Sequence, residues 1–138
     1  MADLRENAES LLSATTVAFN AEGQTTLYTV PAGKCCIITK AIVVAGSDCV
    51  DAEITIGVTA SWDNWLGANG MLGANLDLDE LDAAGEYCII SPTADADPVA
   101  ATSVLTRYTA GEVIKVDVTN DGGGATNTIY LFGFLYDA

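Results

Sequence analysis

The chain has 138 residues, half of them apolar, with 19 acidic residues against five basic ones, no histidine and a net charge of −14. Length and apolar content suit one domain with an ample core. The charge opposes binding to nucleic acid, whose affinity comes largely from Lys and Arg displacing counterions, and to an anionic lipid surface. Without histidine there is no Ser-His or Cys-His catalysis, and no run approaches the roughly 20 apolar residues of a membrane helix.

The opening residues, MADLRENAESLL, lack a basic stretch followed by an apolar one, so the expectation is synthesis in a cytoplasm without a secretory signal. Leu4, Ala8, Leu11 and Leu12 recur at i, i+4, i+7 and i+8, one stripe of a helix. Asp3 and Glu6 loosely imitate a capping box. Such a helix is too short to stand alone in water. Residues 1–16 therefore read as an N-terminal arm or short helix that packs on its own domain, stays disordered or docks on a neighbour. Residues 17–138 read as the main domain.

From Val17 onward the signals are strands and turns. Thr25 to Val30 is β-branched and aromatic, Pro31 to Lys34 is turn chemistry, and Cys35 to Val44 is the longest β-rich run. In Cys49 to Val58, Ile54, Ile56 and Val58 share one face and Glu53, Thr55 and Gly57 the other, the pattern of a half-buried strand. Thr59 to Gly85 is irregular and long enough to cross between sheets. Tyr87 to Ser91 is a short strand, followed by a loop rich in proline and aspartate. Val113, Lys115 and Asp117 alternate with Ile114, Val116 and Val118 in the next strand. DGGGA, Asp121 to Ala125, reads as a flexible hairpin tip. The last strand, Thr128 to Tyr136, is too apolar for a safe edge and is expected to be central. The whole predicts an all-β fold, a single β-sandwich or jelly-roll-like small barrel.

Several constellations invite a chemical reading. Asn75, Asp77, Asp79 and Glu86 fall at positions one, three, five and twelve of a calcium loop, but Glu80 stands where the sharp turn wants glycine. A solvated acidic loop is the simpler account, and neither a metal nor a cofactor is assigned. The same carboxylates could be paired for glycoside hydrolysis, which requires set distances that spacing does not supply. Trp62 and Trp65 could form a sugar-stacking platform, although residues three apart on a strand face opposite ways. Cys35, Cys36, Cys49 and Cys88 include no C-x-x-C pair, so small buried hydrophobes stand beside a late disulfide as readings. Adjacent Cys35 and Cys36 would point to opposite faces of a strand. No catalytic residue is assigned.

Two stretches, TTLYTVPAGKCCIITKAIVV and YTAGEVIKVDVTNDGGGATNTIYLFGFLY, resemble virion proteins of tailed bacteriophages, in particular head decoration (cement) proteins and some tail or fibre proteins. The four cysteines and the acidic middle depart from that pattern. The resemblance implies a β-sandwich that trimerises on a capsid or tail. It further implies a structural, non-enzymatic role on the capsid exterior, with the major capsid protein and further copies of itself as partners and neither nucleic acid nor membrane. Leu4, Ala8, Leu11 and Leu12 are then the expected contacts with the shell or an adjacent copy. The alternative is a tail or fibre module that binds a host glycan through Trp62 and Trp65.

Overall fold

A computed structural model describes residues 8–58, 62–68, 71–72, 74–91 and 107–138. Among them the chain forms strands and no helix: β1 (Ser10–Val17), β2 (Gly23–Thr29), β3 (Lys34–Val44), β4 (Glu53–Gly57), β5 (Leu66–Gly67), β6 (Met71–Leu72), β7 (Leu76–Asp77), β8 (Tyr87–Ile90), β9 (Arg107–Thr109), β10 (Val113–Asn120) and β11 (Asn127–Asp137). They make two sheets. The front sheet runs β1-β11-β3-β8, with β9 in line with β8 along the same edge of β3. The back sheet runs β2-β10-β4-β5-β6, with β7 also on β4. Pairing is antiparallel except between the two-residue strands β5 and β6.

The core lies between the sheets. Ile38, Ala41 and Val43 of β3 and Ile129 and Leu131 of β11 face Ile54 and Ile56 of β4 and Ile114, Val116 and Val118 of β10. The alternation over residues 113–118 appears as expected, each apolar residue of the second set buried and each of the first half-exposed. β11 lies between β1 and β3, as its composition demands. The irregular middle carries the chain from the back sheet to β8 of the front sheet.

Three local readings need correction. The helical stripe does not continue into the described residues, because Leu11 and Leu12 lie in β1, paired with β11. Adjacent leucines satisfy a helical spacing and a strand equally, and Thr15, Thr16 and Val17 after them favour the strand. A bulge between Leu11 and Ser13 turns Leu12 inward over Gly133, where a side chain's Cβ would lie 3.0 Å from Leu12 Cδ1 and 2.2 Å from the Ile37 carbonyl oxygen. The F-G-F element therefore needs glycine for close approach. Second, β4 is buried on both faces, Thr55 and Gly57 as well as Ile54 and Ile56, because residues 63–67 fold over it. Third, Asp121 to Ala125 is no free hairpin tip. It carries the chain from β10 in the back sheet to β11 in the front and packs on its surroundings. Gly122 N donates to Phe19 O at 2.9 Å, and Phe19 N to Gly124 O at 2.9 Å.

Asn127 fixes that crossing. Its fully buried amide donates to Val17 O (3.2 Å) and Gly124 O (2.8 Å) and accepts from Gly46 N (3.0 Å) and Cys49 Sγ (3.2 Å). A buried polar group so fully paired is tolerated and locks the segments it joins.

Candidate interaction face

In an antiparallel sandwich one face of each sheet covers the core and the other ordinarily carries polar residues. The front sheet departs from that rule. Register sets its outward residues in rows across the strands. Leu11 lies beside Phe132 and Lys40; Ala14 beside Tyr130, Ile42 and Ile89; Thr16 beside Thr128, Val44 and Tyr87. Toward the other end Phe134 lies beside Ile37 and Arg107, and Tyr136 beside Cys35 and Thr109. The result is a mainly apolar surface with five aromatic residues on the side away from the core. Leu11 at one edge is 51% exposed, and Tyr87 and Ile89 at the other are 64% and 59% exposed. Strand spacing and rise give this face a footprint on the order of 400 Å², comparable to the largest apolar patch of an ordinary monomer, which is often functional.

The charges on this face are matched within the chain. Lys40 Nζ lies 4.7 Å above the Phe132 ring and 3.5 Å from Glu9 Oε1, which also accepts from Thr39 Oγ1 at 2.8 Å. At the end of β3, on the side of Cys36 and Leu135, Lys34 Nζ meets Asp137 Oδ1 at 2.6 Å. Arg107 donates through Nε to the Tyr136 hydroxyl at 2.6 Å and through Nη2 to Cys35 Sγ at 3.7 Å. Exposed pairs of this kind contribute little stability, but they leave the face able to shed water at low electrostatic cost. Beside β8 an open cleft of about 630 Å³ continues from the same edge, lined by Leu76, Leu78, Leu81, Cys88 and Tyr87 together with Asp77, Glu80 and Glu86.

The residues singled out by sequence divide on the structure. Leu4 lies outside the described residues. Ala8 is exposed just ahead of β1, Leu11 belongs to the outer face, and Leu12 packs against the core. Leu11 and Leu12 therefore share no stripe. Trp65 is fully buried, whereas Trp62 sits on the back sheet with Lys115 Nζ 4.4 Å from its ring centroid, so the two form no common sugar platform.

The calcium-like spacing is drawn apart in the same way. Asp77 accepts from Asp79 N (2.9 Å), Asp79 from Asp51 N (2.8 Å), and Glu86 from Asp82 N and Ala83 N (2.8 and 3.1 Å). Asn75 instead donates to Thr119 Oγ1 at 3.0 Å. Among the described residues no three potential metal ligands from His, Cys, Asp and Glu gather. Cys35 and Cys36 lie on β3 and point to opposite faces, Cys36 into the core and Cys35 under Arg107. All four cysteines are free thiols. Burial, then the neighbouring Cys35, pushes the Cys36 thiol up to about 11, and burial likewise raises Cys49 and Cys88.

No family model matches the chain, and no curated protein matches it. Solved structures with a similar fold include a chain of the acidic stable capsid structure of Helicobacter pylori bacteriophage KHP30, with a TM-score of 0.53 and 14% identity over 94% of this chain and 94% of that one. A chain of the cyanophage Pam1 capsid asymmetric unit has a TM-score of 0.50 and 12% identity over 94% of this chain and 85% of that one. At these identities the likeness is one of fold.

Proposed function

We propose that this chain is a structural protein of a phage virion, a decoration or cement protein that sits as a homotrimer on the outside of the head. There it bridges neighbouring subunits of the major capsid protein and opposes the pressure of packaged DNA. The observation that carries the reading is the apolar outer face of the front sheet, on a fold similar over nearly its whole length to chains of phage capsid structures. The same features support a non-enzymatic role, in which the chain presents a surface for assembly. Its acidic remainder suits a protein added outside a head, away from nucleic acid and membrane. Within the N-terminal arm, residues 1–16, Leu4, Ala8 and Leu11 remain the proposed contacts with the shell or an adjacent copy, and Leu12 supports them from the core side.

Two measurements test this. Quantitative mass spectrometry of purified virions should find hundreds of copies in fixed ratio to the major capsid protein. A few copies per particle would move the chain to the tail, and absence would overturn a virion role. Because β1 begins at Ser10, the arm is best tested by deleting residues 2–7 only. That truncation should weaken head binding while the sandwich stays folded, and undiminished binding would remove Leu4 from the contact.

A further inference from the structure

We infer that the outer face of the front sheet is where one copy of this chain packs on the next, and that the surface it meets there is the acid-lined cleft beside β8. This rests on the self-association in the reading above, but not on attachment to a head. The choice of a second copy comes from charge. The outer face of the front sheet carries Arg107 and Lys40, the latter paired with Glu9, whereas the back-sheet strands carry Lys115 against Glu53, Asp77 and Asp117. Residues 77–86 add Asp79, Glu80, Asp82 and Glu86 with no cation. On a chain of net charge −14, like-charge repulsion disfavours most self-contacts. The apolar face, which carries Lys40 and Arg107 against Glu9, is the exception, and an apolar cleft with an acidic lining complements it.

Size and placement agree. A face on the order of 400 Å² is half of the roughly 800 Å² per partner of a stable two-body complex. A face-to-cleft contact is heterologous, however, so each copy in a closed ring contributes to two such contacts. Tyr87 lies on the face and also lines the cleft. The two surfaces thus adjoin, and a ring of few copies brings them together round its axis.

The test is the mass of the full-length chain in solution by size-exclusion chromatography with light scattering, with circular dichroism to confirm folding. The wild-type chain should run as a multiple of 14.3 kDa. Ile89→Asp and, at the opposite edge, Leu11→Asp both replace side chains more than half exposed. Each should stay folded and raise the dissociation constant at least tenfold, and Glu80→Lys should weaken assembly by a smaller factor. A monomeric wild-type chain would overturn this inference together with the trimer. An assembly indifferent to both aspartate variants would overturn the inference alone and leave the virion reading standing. Loss with Ile89→Asp but indifference to Glu80→Lys would overturn the cleft as the meeting surface.

Discussion

The two outer faces of the sandwich are finished in opposite ways. On the back sheet, Gln24 donates to Asp117 at 3.4 Å, Asn75 to Thr119 at 3.0 Å and Asn120 to the Asp51 carbonyl at 2.7 Å. Lys115 lies over Trp62, and residues 63–67 cover Thr55. These exposed polar groups find partners within the chain, and the chain supplies its own cover, under which Thr55 Oγ1 and Trp65 Nε1 are buried without a hydrogen bond. On the outer side of the front sheet Lys40 and Arg107 likewise find partners, but aromatic and aliphatic side chains are left facing outward. The contrast separates two uses of apolar sequence. One apolar surface is consumed by folding, while the other is held ready for a second body.

Removing the back sheet's own cover should have the largest effect. Trp65 is fully buried in the segment that folds over β4, where its backbone N–H donates to the Ile56 carbonyl at 3.1 Å. Trp65→Ala should cost about 3–5 kcal/mol in chemical denaturation, through lost burial and the cavity left behind. A cost below about 1 kcal/mol would mean that the cover is dispensable. Asn127→Ala comes next, at about 2–4 kcal/mol, because it strands Gly46 N–H and removes the side-chain donor to the Val17 carbonyl in a buried site. It joins the front sheet to the crossing from the back, so its loss should loosen both faces together.

Alkali separates the interior from either face. In the fold Cys36 holds its proton up to about 11, against 9.0 ordinarily, chiefly because it is buried. Between those values the folded state binds more protons than the unfolded one. Stability from this group is therefore complete below about pH 9 and is lost as pH rises to about 11, on the order of 2–3 kcal/mol. Tyr108 and Tyr28 are shifted in the same direction, again chiefly by burial. Denaturation midpoints measured from pH 7 to 11 should fall, and less steeply in Cys36→Ala. A flat profile would mean that the thiol is reached by solvent.

Much of this arrangement is legible in the sequence, and what escaped has a physical cause. Strict alternation over residues 113–118 has one structural meaning, and an apolar last strand is safe only between two others. Leu11 and Leu12 fit two periods at once, and tertiary pairing with β11 decides between them. DGGGA has the local chemistry of a hairpin, but which strand follows which into a sheet is a non-local outcome. The interaction face was present in the same letters that made β11 central. Tyr130, Phe132 and Phe134 alternate with Ile129, Leu131 and Gly133, so the strand is apolar on both sides, which in an antiparallel sheet calls for two coverings. One is the core. The other became visible only when register aligned Leu11, Ile42, Ile89 and Tyr87 with these aromatics.

The smallest expected effect is the one that most sharpens the contrast between covered and open surface. Ile89 and Ile90 are adjacent on β8, but Ile89 is 59% exposed on the outer face and Ile90 is 8% exposed toward the core. Ile90→Ala should cost about 2–4 kcal/mol, the usual range for a buried aliphatic truncation. Ile89→Ser, measured by urea midpoint at a protein concentration low enough to keep the chain monomeric, should change stability by no more than about 0.5 kcal/mol. At high concentration the same Ile89→Ser change should lower the midpoint relative to wild type, because association stabilises only the folded form that makes the contact. A cost at Ile89 equal to that at Ile90, at every concentration, would mean that the front face is covered within one chain. The effect would then belong to folding, and the difference between the two outer faces would vanish.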